Sequence, residues 1–124
     1  MAPDPESALR DEREEEIPAG FERVADVDEL PEGALLGVTT MTGVQVCLYN
    51  HEGVVGAVGN VCTHQEFAMS DGALLPDGTI ECAFHGARFD CRTGAVRQWP
   101  ATEPLPVFAV LVRADGIYVG RRAE

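Results

Sequence analysis

Four side chains in two short loops constrain this chain more than anything else in it. Cys62-Thr63-His64 offers one thiolate and one imidazole, and Cys82-Ala83-Phe84-His85 offers another of each, with seventeen residues between. Both groups are ligands for zinc, copper and iron–sulfur clusters. A fold that uses all four must bring two distant loops to one point, so it needs a frame whose elements end at the same place.

The rest of the sequence reads as short strands punctuated by turns. Strands are expected over Phe21–Ala25, Ala34–Thr39, Val44–Tyr49 and Val54–Val58. Asp26–Pro31 reads as a turn or single helical turn that stops at Pro31. Between the ligand loops, Pro76-Asp77-Gly78 is a turn with a mechanism, since Pro fixes φ and Gly tolerates positive φ. It predicts a hairpin of Ala73–Leu75 with Thr79–Glu81 that carries the second loop. Ala87–Asp90 and Val96–Trp99 then flank a Thr93-Gly94 turn, and Val107–Arg113 with Ile117–Gly120 closes the chain as a last hairpin. The expected fold is all-β, an antiparallel sandwich or barrel with a metal-bearing excursion inserted between strands.

At 124 residues one domain is expected. Residues 1–18 are Pro- and Glu-rich and poor in large apolar groups, which predicts a flexible acidic segment with at most a marginal helix over Ser7–Glu16. Residues 19–124 form the expected domain. The formal net charge is −12, and all nine bases are Arg. That balance argues against nucleic acid, which calls for a basic face. It suits a soluble partner with a basic docking patch, because complementary fields speed encounter. No run approaches the roughly 18 apolar residues of a membrane span. The opening residues lack the charged and apolar regions of a secretory signal, so the expected compartment is the cytoplasm, where metal or redox use of cysteine outranks disulfides. Cys47 reads as a small buried residue on a strand, Cys91 as packing behind the metal site, and His51 as a solvated turn residue.

Zinc fingers pair like with like, Cys with Cys and His with His, whereas each loop here mixes the two. By itself the spacing does not exclude a structural zinc. It also fits a two-iron cluster in which one iron takes both cysteines and the other both histidines. The flanking residues favour the second reading: Cys62-x-His64, then Cys82-x-x-His85-Gly86-x-x-Phe89-Asp90-x-x-Thr93-Gly94, closely resembles the Rieske [2Fe-2S] family.

The resemblance implies one Rieske-type [2Fe-2S] cluster, with Cys62 and Cys82 on one iron and His64 and His85 on the other. Phe67 and Phe84 stand where respiratory and photosynthetic members carry a disulfide between the loops, and would act as apolar cover. Ala87 and Phe89 stand where those members place hydroxyl groups that donate to sulfur. Lacking such donors, the centre is expected near the low end of the Rieske range, about −150 mV. Gly86 belongs to the motif, and Pro100 lies where the family places a Pro-rich third loop. Pro104 and Pro106 read more simply as edge-strand blockers.

By the same resemblance the chain would be a ferredoxin of the soluble type, carrying single electrons from a flavin-dependent ferredoxin reductase to a terminal, ring-hydroxylating oxygenase. It would not itself be an enzyme. Mononuclear oxygenase iron wants two His and a carboxylate, and only His51 is left over. Gly53-Val-Val-Gly56 lacks the helix that a nucleotide-binding glycine fingerprint precedes. The alternative is a redox-sensing or accessory subunit of another oxidoreductase complex.

Overall fold

The computed structural model describes residues 17–62, 68–83, 86–99, 101 and 103–122. Among them run ten strands: β1 (Glu22–Ala25), β2 (Leu35–Thr39), β3 (Gln45–His51), β4 (Val54–Gly59), β5 (Ala73–Leu74), β6 (Thr79–Glu81), β7 (Arg88–Asp90), β8 (Val96–Gln98), β9 (Val107–Arg113) and β10 (Gly116–Arg122). Single 3-10 turns cover Val27–Glu29 and Met69–Asp71. The marginal helix expected over Ser7–Glu16 lies outside the described residues. Among the described residues no helix is long and apolar enough to cross a membrane.

The strands form two antiparallel sheets, a six-stranded one in the order β1-β10-β9-β4-β3-β2 and a four-stranded one in the order β5-β6-β7-β8. The large sheet takes strands from both ends of the chain, and the small one is inserted whole between β4 and β9. The edges of the large sheet curl toward each other. Glu22 of β1 accepts from the backbone N–H of Met41, in the turn after β2, at 2.9 Å.

Strand β3 explains how one frame serves two cores. Side chains alternate across a strand, and both faces of β3 are covered. Val46 and Leu48 pack inside the curled sheet with Ala57, Ile117 and Val119. Cys47 and Tyr49 face the other way, onto the insert, with Val58, Ile80, Phe89 and Leu105. Ile80 and Phe89 are register partners in β6 and β7 and are fully buried. Each such side chain contributes about 1.5–3 kcal/mol by leaving water, which is what seats the small sheet on the large one.

Three sequence expectations need correction. His51 is not simply a solvated turn residue: it ends β3, and its Nε2–H donates to Pro76 O at 3.2 Å, tying the frame to the β5–β6 turn. Pro106 blocks no edge. It precedes β9, an interior strand, its carbonyl accepts from Gly59 N at 2.9 Å, and its ring fills the space where a Gly59 side chain would be, with Cγ 2.7 Å from that Cβ position. Strand limits also move, β3 and β10 each running two residues further than expected, because both lie between neighbours that keep supplying hydrogen bonds.

Candidate metal centre

The first loop is rooted by one side chain. Just after β4, the Asn60 N–H donates to Gln45 O at 3.0 Å and its carbonyl accepts from Met69 N at 2.7 Å. Its side-chain Oδ1 accepts from Ser70 N at 2.7 Å. The chain on both sides of residues 61–68 is therefore stitched together, and a bridge between Val61 and Ala68 closes the stitch. Gly37 of β2 makes this possible: a Cβ there would come 2.6 Å from Ser70 Oγ and 2.8 Å from Asn60 Nδ2. Cys62 follows at once and is 2% exposed.

The second loop is the connection between β6 and β7. Cys82 N donates to Ala87 O at 2.8 Å, and Gly86 turns the loop with φ at +76°, a left-handed conformation that suits glycine. Below it, Arg88 Nε meets Glu81 Oε2 at 3.2 Å. Gln98 of β8 donates to Gly86 O at 3.2 Å. Gly72 lets β5 pass close under this root, since a Cβ there would fall 1.9 Å from Glu81 O.

The roots of the two loops meet in one core. Cys62, Cys82, Met69, Ala87 and Phe89 share the buried cluster between the sheets, and both thiols are free of disulfides. Two buried thiols in one apolar cluster suit a soft metal or an iron–sulfur centre. Ala87 and Phe89 are fully buried and bring no hydroxyl to it. His64, His85, Phe67, Phe84 and Pro100 lie outside the described residues. Among the described residues no three His, Cys, Asp or Glu side chains gather as a metal site elsewhere.

The other two cysteines are built in as packing. Cys47 is fully buried, and burial pushes its thiol up to about 12. Cys91 is raised as well, chiefly by burial, although the Tyr49 hydroxyl donates to its sulfur and pulls the other way. Tyr49 reaches Cys91 across β4 because position 56 is glycine; a Cβ there would fall 2.2 Å from the Tyr49 hydroxyl oxygen. Behind them Asp90 organises the β7–β8 turn. Its Oδ1 accepts from Arg92 N at 2.9 Å and Thr93 N at 3.0 Å, and its Oδ2 from Arg97 at 2.9 Å. Burial pushes the Asp90 carboxyl up, but these donors together hold it below the usual range.

Sequence reasoning missed Asn60, the Glu81–Arg88 pair and the Tyr49–Cys91 contact. Only the Asp90 turn carried a readable signal, an Asp three residues before Thr-Gly that invites side-chain-to-backbone bonding.

Residues 20–109 match the family model of the Rieske [2Fe-2S] domain. The chain is 33% identical over 99 residues to the biphenyl dioxygenase ferredoxin subunit of Pseudomonas sp. strain KKS102, covering 80% of this chain and 90% of that one. The structure resembles that of the ferredoxin of carbazole 1,9a-dioxygenase from Nocardioides aromaticivorans IC177, with a TM-score of 0.76 and 31% identity over 82% of this chain and 98% of that one. It also resembles a chain in the complex of reduced oxygenase and oxidized ferredoxin of carbazole 1,9a-dioxygenase, at a TM-score of 0.76 and 29% identity over 83% and 94% of the two chains. Agreement that runs from the approach to β1 into β9, in sequence and in shape alike, has one meaning: the chain belongs to the Rieske [2Fe-2S] family and carries one cluster of that type.

Proposed function

We propose that the protein is the ferredoxin of a ring-hydroxylating oxygenase system, a one-electron carrier between a flavin-dependent reductase and a terminal oxygenase. Cys62 and Cys82 would hold one iron, and His64 and His85 the other, within a domain spanning residues 19–124. When bound, the cluster supplies a single electron that can be taken up and released without bond breaking.

The observation that carries this reading is that the stitched roots of two loops place two buried thiols, Cys62 and Cys82, in one apolar cluster. The chain's residues hold the site rather than act on a substrate. The Asn60 stitch and the Cys82–Ala87 bond fix the loops before any partner arrives, and Ile80, Met69 and Phe89 keep water from the thiol side. With Ala87 and Phe89 in place of hydroxyl donors, these two positions stabilise an added electron weakly, in keeping with a low potential. The net charge of −12 favours fast encounter with basic partner surfaces.

Low-temperature EPR of the dithionite-reduced protein tests the proposal. Mixed His/Cys ligation should give a rhombic signal of low average g, with two irons and two acid-labile sulfides per chain. His85→Cys should move that signal and lower the potential. A colourless protein that holds zinc instead would overturn the reading, and an unmoved signal in His85→Cys would overturn the ligand assignment.

A further inference from the structure

We infer that Glu81 and Arg88, ion-paired at the root of the second ligand loop, act on the reduction potential of the centre in opposite directions from outside its ligands; the inference rests on the centre proposed above. Glu81 ends β6, Arg88 begins β7, and the two are register partners. Residues 82–87 are thus the connection between the members of the pair. Any rearrangement of the pair acts on both ends of that loop.

The carboxylate lies close to the loop. A methyl group placed on Gly86 would sit 3.7 Å from Glu81 Oε2, and Gly86 is the residue covalently next to His85. Gln98 donates to the Gly86 carbonyl, so a second strand holds the same peptide in place. Arg88 meets this carboxylate at 3.2 Å, and the two side chains are only 35% and 31% exposed. Their fields are therefore less screened than those of a fully solvated pair. Arg97, the next arginine along the small sheet, is engaged by Asp90 instead.

A reduced centre carries one more negative charge than an oxidised one. The Glu81 carboxylate opposes that charge and the Arg88 guanidinium favours it, so the pair as built is close to balanced. Neutralising one partner exposes the other, and the two changes must move the potential in opposite directions. Damage to the loop alone would move both variants the same way. Arg88→Lys keeps the charge while losing the guanidinium fork, and separates charge from shape.

The experiment measures the reduction potential of the loaded wild type, Glu81→Gln, Arg88→Gln and Arg88→Lys by EPR-monitored titration at one neutral pH and low ionic strength. Visible and EPR spectra establish loading in each. Glu81→Gln should shift the reduction equilibrium about two- to tenfold toward the reduced form, and Arg88→Gln by a similar factor toward the oxidised form. Tenfold corresponds to about 59 mV for one electron. Arg88→Lys should stay within about twofold of wild type, and all shifts should shrink at high salt. Shifts of the same sign in the two Gln variants, or no shift in either, overturn the inference. Should Glu81→Gln not hold a cluster, the two Arg88 variants decide it: Gln must lower the potential and Lys must not. A wild type without iron and sulfide defeats the proposed function and this inference with it, whereas a loaded wild type with unmoved variants defeats this inference alone.

Discussion

Replacing Gly94 by alanine measures how tightly the inserted sheet is tied back to the frame. Gly94 lies in the β7–β8 turn with φ at +75°. Its N–H donates to Asp90 O at 2.7 Å, and its carbonyl accepts from Leu105 N at 2.8 Å. A Cβ there would fall 2.1 Å from Leu105 O and 3.3 Å from Val107 Cγ2. Holding alanine in the left-handed region costs about 1–2 kcal/mol. Relieving the clash means moving the Leu105 carbonyl by roughly an ångström to reach ordinary contact, which breaks the Leu105–Gly94 hydrogen bond and loses about 0.5–1.5 kcal/mol more. Leu105 is 3% exposed, so partly unseating it adds about 1–2 kcal/mol.

The expected loss is therefore about 2.5–5.5 kcal/mol. Gly43 supplies the control: its φ is +90°, but nothing lies within 4 Å of the place its Cβ would take. Gly43→Ala should cost the backbone share alone, about 1–2 kcal/mol. Anaerobic urea unfolding of both loaded variants, followed by circular dichroism, compares them directly. With a slope of about 1–1.5 kcal/mol per molar urea for a chain of this size, Gly94→Ala should lower the midpoint by about 2 M or more. Equal midpoints for the two variants would refute the reasoning, because close approach to Leu105 would then count for nothing.

Asp90 sets an acid limit on the same turn. Its carboxyl is pushed up by burial and pulled down further by Thr93, Arg92 and Arg97, so its folded pKa lies below the unfolded value of about 3.9. Its stabilisation is complete above that unfolded value and is lost as pH falls through the folded one. The gap in urea midpoint between wild type and Asp90→Asn should be constant near neutrality and close below about pH 4; a gap that persists at lower pH contradicts the sign. Among the cysteines, Cys62→Ser and Cys82→Ser should abolish the visible absorption of the iron–sulfur centre, while Cys47→Ser and Cys91→Ser keep it. Cys47→Ser buries a hydroxyl and should cost about 1–3 kcal/mol in urea unfolding. Bleaching in Cys91→Ser would show that the packing thiol takes part in the centre.

What could be read from the sequence followed from local rules. Pro76-Asp77-Gly78 announced its hairpin, and the strands of that hairpin fall within one residue of expectation. The all-β class came from strand lengths and turn residues. The contacts that hold the site were hidden because they join residues with no local pattern. Asn60 looks like any loop amide until Ser70 and Gln45 arrive beside it. Gly37 and Gly56 look like weak points in strands and Gly72 like a plain turn residue, yet each marks a place where a neighbour comes too close for a Cβ. Pro106 misled for the same reason: an edge was inferred from the residue, and the partner strand was not visible.

The two loops are rooted by different kinds of bond, and that difference divides their roles. Asn60 is neutral and 7% exposed; an unpaired charge buried there would cost far more than an amide with its hydrogen bonds made. A neutral stitch fixes the position of Cys62 and adds no net charge near the centre. The second root carries a full charge pair, partly open to solvent, on either side of Cys82 and Ala87. Changes at Asn60 should therefore appear as failure to hold the cluster, and changes at Glu81 or Arg88 as a cluster held at a different potential. Tuning is assigned to the root where charge is affordable, and assembly to the root where it is not.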